Sequence, residues 1–345
     1  NDIKNINENI SDINIKINDT TTLINNDIDD INENISEIND DYQALISFLE
    51  QRKRLQTSEE IREIFHILLN IINNHHRNID FFNKIEQIFN FLKETIKQTF
   101  SNLEIYDFFC SNNKILLLLI KNSIITIDES IFKKIQEDSK EKFFYFYPEI
   151  KSFFNSSQRE EIEREMNNLF PNNEDFLEKR NNGENETHIT ELIRNDSVEE
   201  FIEYVNRLNY SISSKINHSI FETNSFLIEN EPSLIEYAAF FGSIQIFQYL
   251  KMNGVKLNSS LWLYSIHSKN AELIHFLEEN HVNLPCKSYS KCLEESIKCF
   301  HNDFANYFLI NFLTDDEVKS QIENNFEKNS MINFVIFITY IKILK

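Results

Sequence analysis

The sequence predicts an all-α protein in three parts: an N-terminal coiled-coil-like helix, a helical bundle and a C-terminal α-solenoid. Its 345 residues include only 3 Gly and 4 Pro, too few for the turns of a β-sandwich or the Gly-rich loops of an α/β enzyme. Apolar residues recur at helical spacing, and apolar–polar alternation never persists beyond a few residues. Hydrophobic residues make up 41% of the chain, and 31 residues are Phe, so a sizeable core can be buried.

The N-terminal segment, residues 1–54, is predicted to be a coiled-coil-like helix. The octet NENISDIN at 7–14 recurs as NENISEIN at 32–39, an offset of 25 residues. This offset equals three heptads plus a four-residue stutter, so the apolar seam stays on one helix face. We predict a homo-oligomer formed through this segment. Poor helix propensity leaves disorder in isolation, or a helix packed on the chain's own body, as open alternatives. The seam residues are Ile3, Ile6, Ile10, Ile13, Ile17, Ile24, Ile28, Ile31, Ile35 and Ile38.

A helical domain is predicted over residues 55–170, followed by a linker over 171–186. A capping box at 57–60 opens an apolar helix, and Pro148 and Pro171 are expected to interrupt the helices. The linker prediction follows from a polar composition that includes one of the three Gly. Further helical patterns cover 79–100, 112–121, 128–138, 140–147 and 158–168.

The remaining residues, 187–345, contain degenerate repeats. The stretch SLIEYAAFFGSIQIFQYLKMNGVKLN at 233–258 is matched by 260–284 at an offset of 27 residues, and a third copy follows 31 residues later. Looser copies begin near Thr187 and Ser320. The residues predicted to maintain the repeats are Ile235, Ala238, Ala239, Gly242, Phe247, Leu250, Gly254, Trp262 and Leu277.

The stretch 233–258 resembles an ankyrin repeat. Small residues stand where the TPLHLAA motif has its paired Ala, Gly242 stands at the interhelix turn, and Gly254 stands at the left-handed C-cap. The matching residues are Ser233, Ile235, Ala238, Ala239, Gly242, Gly254 and Asn258. Departures include Lys269 and Phe300 where later copies would have Gly. The short repeat spacings imply shortened β-hairpin fingers.

A longer stretch of the chain is similar to protist ankyrin-repeat proteins with an uncharacterised helical domain ahead of degenerate repeats. The resemblance is closest over 187–313, extends over 42–186 and does not include 1–41. It implies an ankyrin-like α-solenoid and a protein–protein interaction scaffold or adaptor, with 1–54 for oligomerisation. A structural, self-assembling helical protein without a dedicated ligand groove is the alternative. We expect further repeats, or a covering partner, beyond Lys345.

If the solenoid binds another protein, the inner face of its first helices is the expected contact surface. Aromatic side chains supply a large contact area at low entropic cost. The residues predicted to form this docking strip are Tyr237, Phe240, Phe241, Tyr264 and His267.

Charge and motif content argue against several other classes. A net charge of −21 and a pI near 4.9 disfavour nucleic-acid binding, and no apolar run approaches the length of a membrane span. Unpaired cysteine spacing favours a cytoplasmic protein with reduced thiols. The spacing of Cys286, Cys292, Cys299 and His301 does not match a structural zinc site, so no metal or cofactor is expected. No nucleotide-binding or hydrolase motif is present, and we expect no enzymatic activity.

Overall fold

The computed structural model describes residues 57–74, 79–299 and 301–313. The seam residues Ile3 to Ile38 and the copy near Ser320 lie outside this range, so those parts remain predictions. The described residues contain 17 α-helices and no β-strand, apart from an isolated antiparallel bridge between Lys215 and Ser233. The all-α prediction is confirmed for this part of the chain.

Six of the first eight helices start from side chains that cap free backbone N–H groups. Ser101, Asn112 and Asp128, for example, accept hydrogen bonds from the first turns of their helices. The helices are α1 (Ser58–Asn74), α2 (Ile79–Thr99), α3 (Asn102–Phe109), α4 (Asn113–Lys121), α5 (Glu129–Glu137), α6 (Lys140–Ile150), α7 (Ser156–Leu169) and α8 (Asn173–Asn182).

Buried phenylalanines join the first three helices. The Phe65 ring of α1 lies 5.6 Å from the Phe100 ring and 5.0 Å from the Phe109 ring between centroids, and Phe89 of α2 lies 5.5 Å from Phe109. All four side chains are buried. Aromatic pairs at these separations add to the stability that burial provides, so the cluster holds α1, α2 and α3 together.

The prolines behave differently from each other. Pro171 lies between α7 and α8, as predicted. Pro148 was expected to end a helix, but it lies inside α6, which continues to Ile150 and runs into the 3-10 turn Lys151–Phe153. The lost hydrogen bond is tolerated because Pro148 falls in the last turn of α6, where Tyr147 and Ile150 are buried.

The segment 171–186 is a packed helix rather than a polar linker. Asn172 caps α8, and Gly183 ends it in the left-handed conformation with φ 70°. Phe176 and Arg180 are buried, and the Phe176 ring lies 5.4 Å from that of Phe221. The linker prediction is corrected. The overall polar composition of the segment did not reveal that Phe176 and Arg180 anchor the helix by their burial.

The C-terminal part consists of helical hairpins. The first helices of the hairpins, α9, α12, α14 and α16, contact one another in series, and the second helices α10 and α13 also contact each other. The short helix α11 lies between the first two hairpins in the chain. The helices are α9 (His188–Arg194), α10 (Val198–Leu208), α11 (Ser225–Asn230), α12 (Leu234–Phe241), α13 (Ile244–Met252), α14 (Leu261–His267), α15 (Ala271–Glu279), α16 (Ser290–Lys298) and α17 (Asn302–Phe312).

The same backbone turn recurs between the two helices of each of the first three hairpins. Asp196, Gly242 and Lys269 occupy it with φ of 50°, 71° and 54°. The residue after each of the first two turns donates its backbone amide to the carbonyl five residues earlier. Ser197 donates to Leu192 at 3.0 Å, and Ser243 donates to Ala238 at 2.9 Å.

A second left-handed turn follows the second helix of each of these hairpins. Asn209, Gly254 and His281 have φ of 48°, 88° and 49°. The left-handed conformation predicted for Gly254 is therefore confirmed, and Gly242, predicted to allow the tight turn between the helices, is left-handed as well. Non-glycine residues adopt the same conformation in the other copies at a cost that the surrounding packing must offset.

The predicted repeat residues form the core of the hairpins. Ile235, Ala238, Ala239, Phe247, Leu250, Trp262 and Leu277 are at most 1% exposed. The Trp262 indole N–H donates to the carbonyl of Val282 at 3.2 Å, which satisfies its polar atom inside the core. Within the described ranges, no helix is both long and apolar enough to cross a membrane.

Candidate functional site

The predicted docking strip is a buried cluster in the structure. Tyr237, Phe240 and Tyr264 are at most 5% exposed, and the His267 side chain is 1% exposed. Phe241 is half-buried. The prediction that these side chains line an open groove is corrected.

Helix α11 is the physical reason for this burial. The Phe226 ring of α11 lies 4.9 Å from the Tyr264 ring and 4.3 Å from the His267 ring between centroids. It also stacks on Phe240 at 6.0 Å. Helix α11 belongs to no repeat and carries no motif, so the sequence alone leaves this face without a cover.

A cleft of about 230 Å³ lies beside this cluster, between the loop 215–219, helix α11 and the start of α12. We call it the Glu222 cleft. Its floor is buried and its rim is exposed, so a ligand can reach polar groups that are shielded from bulk water. The floor residues are Asn185, Ser219, Glu222, Leu227, Pro232 and Tyr237, and the exposed rim residues are Lys215, Asn217, His218, Ile228 and Glu231.

The backbone holds the loop 215–219 in place. The Ile216 amide donates to the carbonyl of Pro232 at 2.7 Å, and the Leu234 amide donates to the carbonyl of Ser214 at 3.1 Å. These two bonds flank the isolated bridge between Lys215 and Ser233. The rim of the cleft is thus attached directly to the N-terminus of α12.

Glu222 is the buried acid on the floor. One carboxylate oxygen accepts hydrogen bonds from the amides of Thr223 at 3.0 Å and Asn224 at 2.9 Å, and the other accepts from the Asn185 amide at 3.3 Å. Burial raises the pKa of Glu222 to about 7, despite these hydrogen bonds, which favour the ionised form. The carboxyl group therefore changes charge near neutral pH.

Arg194 organises the other side of the floor. Its guanidinium donates to the Tyr237 hydroxyl at 2.9 Å and to the Asn185 carbonyl at 2.8 Å, and it pairs with Glu184 at 3.2 Å. Burial is the main cause of a raised pKa at Tyr237, so its hydroxyl keeps its proton. The floor thus presents hydrogen-bond donors and acceptors in fixed positions.

The size of the Glu222 cleft limits what it can hold. Sites for drug-sized molecules occupy roughly 300–1,000 Å³, so this cleft suits a single side chain or chain segment of a larger ligand. A carboxyl group near its pKa can act as a general base, but the hydrogen bonds to Glu222 come from backbone amides rather than from a nucleophilic side chain.

The cysteines and histidines weighed as zinc ligands are placed apart from this cleft. Cys110, Cys292 and Cys299 are not disulfide-bonded, and Cys292 and Cys299 are buried in or next to α16. The side chain of Cys286 lies outside the described set. The structure brings Cys299 close to His267 and Glu295, a combination that the sequence analysis did not consider because it weighed Cys299 only with residues 286–301.

Comparisons of the chain with protein-family models, with curated proteins and with solved structures found no match.

Sequence reasoning missed Glu222, Arg194 and Asn185. Glu222 and Asn185 belong to polar stretches without periodicity or a recognisable motif, and Arg194 is the last residue of α9, where no motif marks it. Their convergence depends on how the loop before α12 folds back. Tyr237, predicted as part of the docking strip, is instead a buried residue that lines the cleft and accepts a hydrogen bond from Arg194 through its hydroxyl.

Proposed function

We propose that this chain is a protein–protein interaction scaffold with an ankyrin-like α-solenoid built from α9–α10 and α12–α17. The observation that supports it best is the recurrence of two left-handed turns in successive hairpins, at 196, 242 and 269 and at 209, 254 and 281. Repeated turns give successive hairpins a similar geometry, and stacked repeats create extended binding surfaces. The resemblance to ankyrin repeats points in the same direction.

The Glu222 cleft is the proposed point of partner contact on this scaffold. Its exposed rim and polar floor fit a projecting segment of another protein, whereas the predicted aromatic strip is covered by α11. The proposal includes no catalytic activity. We also propose that the protein works in the cytoplasm, where Cys110, Cys292 and Cys299 would stay reduced as free thiols.

Residues 1–54 are proposed to oligomerise the scaffold. Joining several solenoids makes the second binding event intramolecular, which raises the apparent affinity without any new contact. The competing proposal is a structural, self-assembling protein, and the burial of Tyr237, Phe240 and Tyr264 favours it because those aromatics complete a core. Capture of a protein other than a second copy of this chain would distinguish the scaffold from the self-assembling protein.

The test compares two charge reversals on the full chain. Lys215→Glu changes the rim of the cleft, where Lys215 forms a largely exposed pair with Glu231, so we expect little effect on stability. Lys256→Glu makes the same charge change at an exposed site between α13 and α14. Each variant is immobilised, and proteins retained from the source cells are quantified by mass spectrometry.

We expect the wild type and Lys256→Glu to retain the same partner, and Lys215→Glu to retain at least tenfold less. The purified partner should then reproduce this order in a direct binding assay. Equal retention by both variants would remove the cleft from the proposal. Failure of the wild type to retain any protein above background would contradict the scaffold function itself.

A further inference from the structure

Three potential metal ligands converge where α14 meets α16. His267 is the last residue of α14, Glu295 lies in α16, and Cys299 is the C-cap of α16. The His267 Nε2 atom lies 2.9 Å from Glu295 Oε1 and 3.8 Å from Cys299 Sγ. One ligand atom from each residue falls within 4.8 Å of the other two.

The local structure explains this convergence. Glu295 and Cys299 are four residues apart, so they occupy the same face of α16 on successive turns. Helices α14 and α16 are neighbours in the series of first helices, which brings His267 against that face. All three ligands are thus held by the ends of packed helices rather than by flexible loops.

The three ligand atoms lie near one another, but two of them must shift before they surround an ion. Zinc–sulfur bonds of about 2.3 Å and zinc–nitrogen bonds of about 2.0–2.1 Å place the sulfur and nitrogen atoms about 3.6 Å apart at a tetrahedral angle. Cys299 Sγ lies 3.5 Å from Nδ1 and 3.8 Å from Nε2 of His267, so it faces the imidazole ring rather than the Nε2 lone pair. An ion held by Nε2 therefore requires the Cys299 side chain to turn toward that nitrogen. The His267–Glu295 separation is that of a hydrogen bond, so an ion would widen it by roughly half an ångström.

The surroundings hold these side chains in position. The His267 ring packs against the rings of both Phe226 and Phe240, at centroid distances of 4.3 and 4.9 Å. The side chains of His267 and Glu295 are 1% and 11% exposed, and Cys299 is fully buried. A low-dielectric, rigid setting strengthens the interaction between a cation and its ligands.

Charge balance also favours a divalent ion. A Cys299 thiolate and a Glu295 carboxylate together neutralise a 2+ charge, and neutral His267 completes a site with no net buried charge. Lys298 lies 3.6 Å from Glu295, but it also pairs with Glu294 at 2.9 Å, so it has an alternative partner when an ion takes Glu295.

We propose that His267, Glu295 and Cys299 bind a zinc-class divalent ion that joins α14 to α16. On binding, the Cys299 thiol releases its proton to solvent and its sulfur forms the bond to the metal, without any redox step. Water supplies the fourth ligand from the side of Lys298, which is 35% exposed. The ion would stabilise the contact between two successive hairpins.

Cobalt provides the experimental probe, because Co²⁺ bonded to a thiolate has a charge-transfer absorption band in the near ultraviolet. The full chain is stripped with a chelator and titrated with Co²⁺. We expect one equivalent to bind per chain, the band to appear, and Zn²⁺ to displace it. Zn²⁺ should also raise the midpoint of thermal unfolding of the stripped protein.

Two matched cysteine variants identify the ligand. Cys299→Ser should abolish the band, and Cys292→Ser should keep it, because Cys292 is also fully buried on α16 but is not one of the three clustered ligands. Glu295→Gln should weaken Co²⁺ binding at least tenfold. Far-ultraviolet circular dichroism confirms that each variant is folded.

The wild-type titration decides the proposal even if a variant fails to fold. Absence of stoichiometric Co²⁺ binding by folded wild-type protein overturns it. So does a band that survives in folded Cys299→Ser, or one that disappears in folded Cys292→Ser.

Discussion

Glu222 is the buried titratable group on the floor of the Glu222 cleft. Its carboxyl is buried, Glu184 adds a repulsive negative charge, and Arg194 with the backbone amides of Asn185 and Asn224 offsets part of the cost of ionisation. Burial is the largest of these effects, so the folded protein keeps Glu222 protonated at a pH where the unfolded chain has already released the proton.

We therefore expect Glu222 to make the free energy of unfolding fall between pH 5 and 8. The pKa of Glu222 is about 7 in the folded protein and 4.5 in an unperturbed chain, so its contribution is complete below pH 4.5 and is lost as the pH rises through 7. The loss across this range is about 2–3 kcal/mol. Urea unfolding of the wild type and Glu222→Gln at several pH values measures it.

The Gln variant removes the titration and should show a flatter pH profile than the wild type over pH 5–8. Glu229→Gln, at an exposed position on α11, controls for the loss of one negative charge and should keep the wild-type slope. Parallel profiles for the wild type and Glu222→Gln would show that Glu222 is not protonated in the folded state.

The residues of the Glu222 cleft and of the proposed metal site could be predicted from the sequence only in part. His267 stood out in the sequence, but its neighbours Glu295 and Cys299 belong to the next hairpin, 28 and 32 residues away. The repeat alignment places α14 beside α16 and could have led to them. No comparable signal leads to Glu222, because a polar loop has no periodicity that fixes where its side chains point.

At the scale of elements, α8 depends on one buried cation. Arg180 is 3% exposed and donates two hydrogen bonds to the Glu149 carboxylate at 2.7 and 2.8 Å and another to the Tyr145 carbonyl at 2.8 Å. A planar guanidinium matches a carboxylate with two parallel bonds. This contact attaches α8 to α6 and explains why a polar segment is packed rather than extended.

Arg180→Met should lower the free energy of unfolding by about 3 kcal/mol, because it leaves the Glu149 carboxylate without its cation. The double variant with Glu149→Met should recover part of that loss. Arg164→Met is the control, since Arg164 is 78% exposed and should change stability by less than about 0.5 kcal/mol. Urea unfolding that gives equal losses for Arg180→Met and Arg164→Met would contradict this role.

The turns show where prediction of elements succeeds and where it fails. Gly242 and Gly254 signalled left-handed turns because glycine adopts positive φ at little cost. Lys269 was interpreted as a departure from the repeat, yet its backbone has the same conformation with φ 54°. Packing on both sides of the hairpin fixes that turn, and a single position in the sequence does not contain this information.

At the scale of the whole molecule, scarcity of Gly and Pro was enough to predict an all-helical chain. The repeat offsets of 27 and 31 residues also placed the last hairpins in order. What the offsets could not give is the covering of the first helices by α11, since α11 belongs to no repeat. Many of the helices therefore followed from local pattern, although α3, α8 and α11 did not, and the location of a binding surface depended on tertiary packing.

Oligomerisation through residues 1–54 is the prediction that concerns the whole molecule. Ile at both core positions of the heptad favours self-association, so purified protein should have a mass that is a multiple of 41.2 kDa. Substituting Ile24, Ile28 and Ile31 with Ser removes apolar burial from the seam and should yield a monomer. Light scattering after size-exclusion chromatography measures both masses.

The matched control substitutes Asn25, Asn26 and Asn32 with Ser, which changes the same stretch of chain without touching the seam. It should keep the wild-type mass, because these positions lie off the apolar stripe. A 41.2 kDa species for the wild type would contradict oligomerisation. Dissociation of the Asn variant would instead show that association does not depend on the seam, so avidity could not be assigned to a coiled coil.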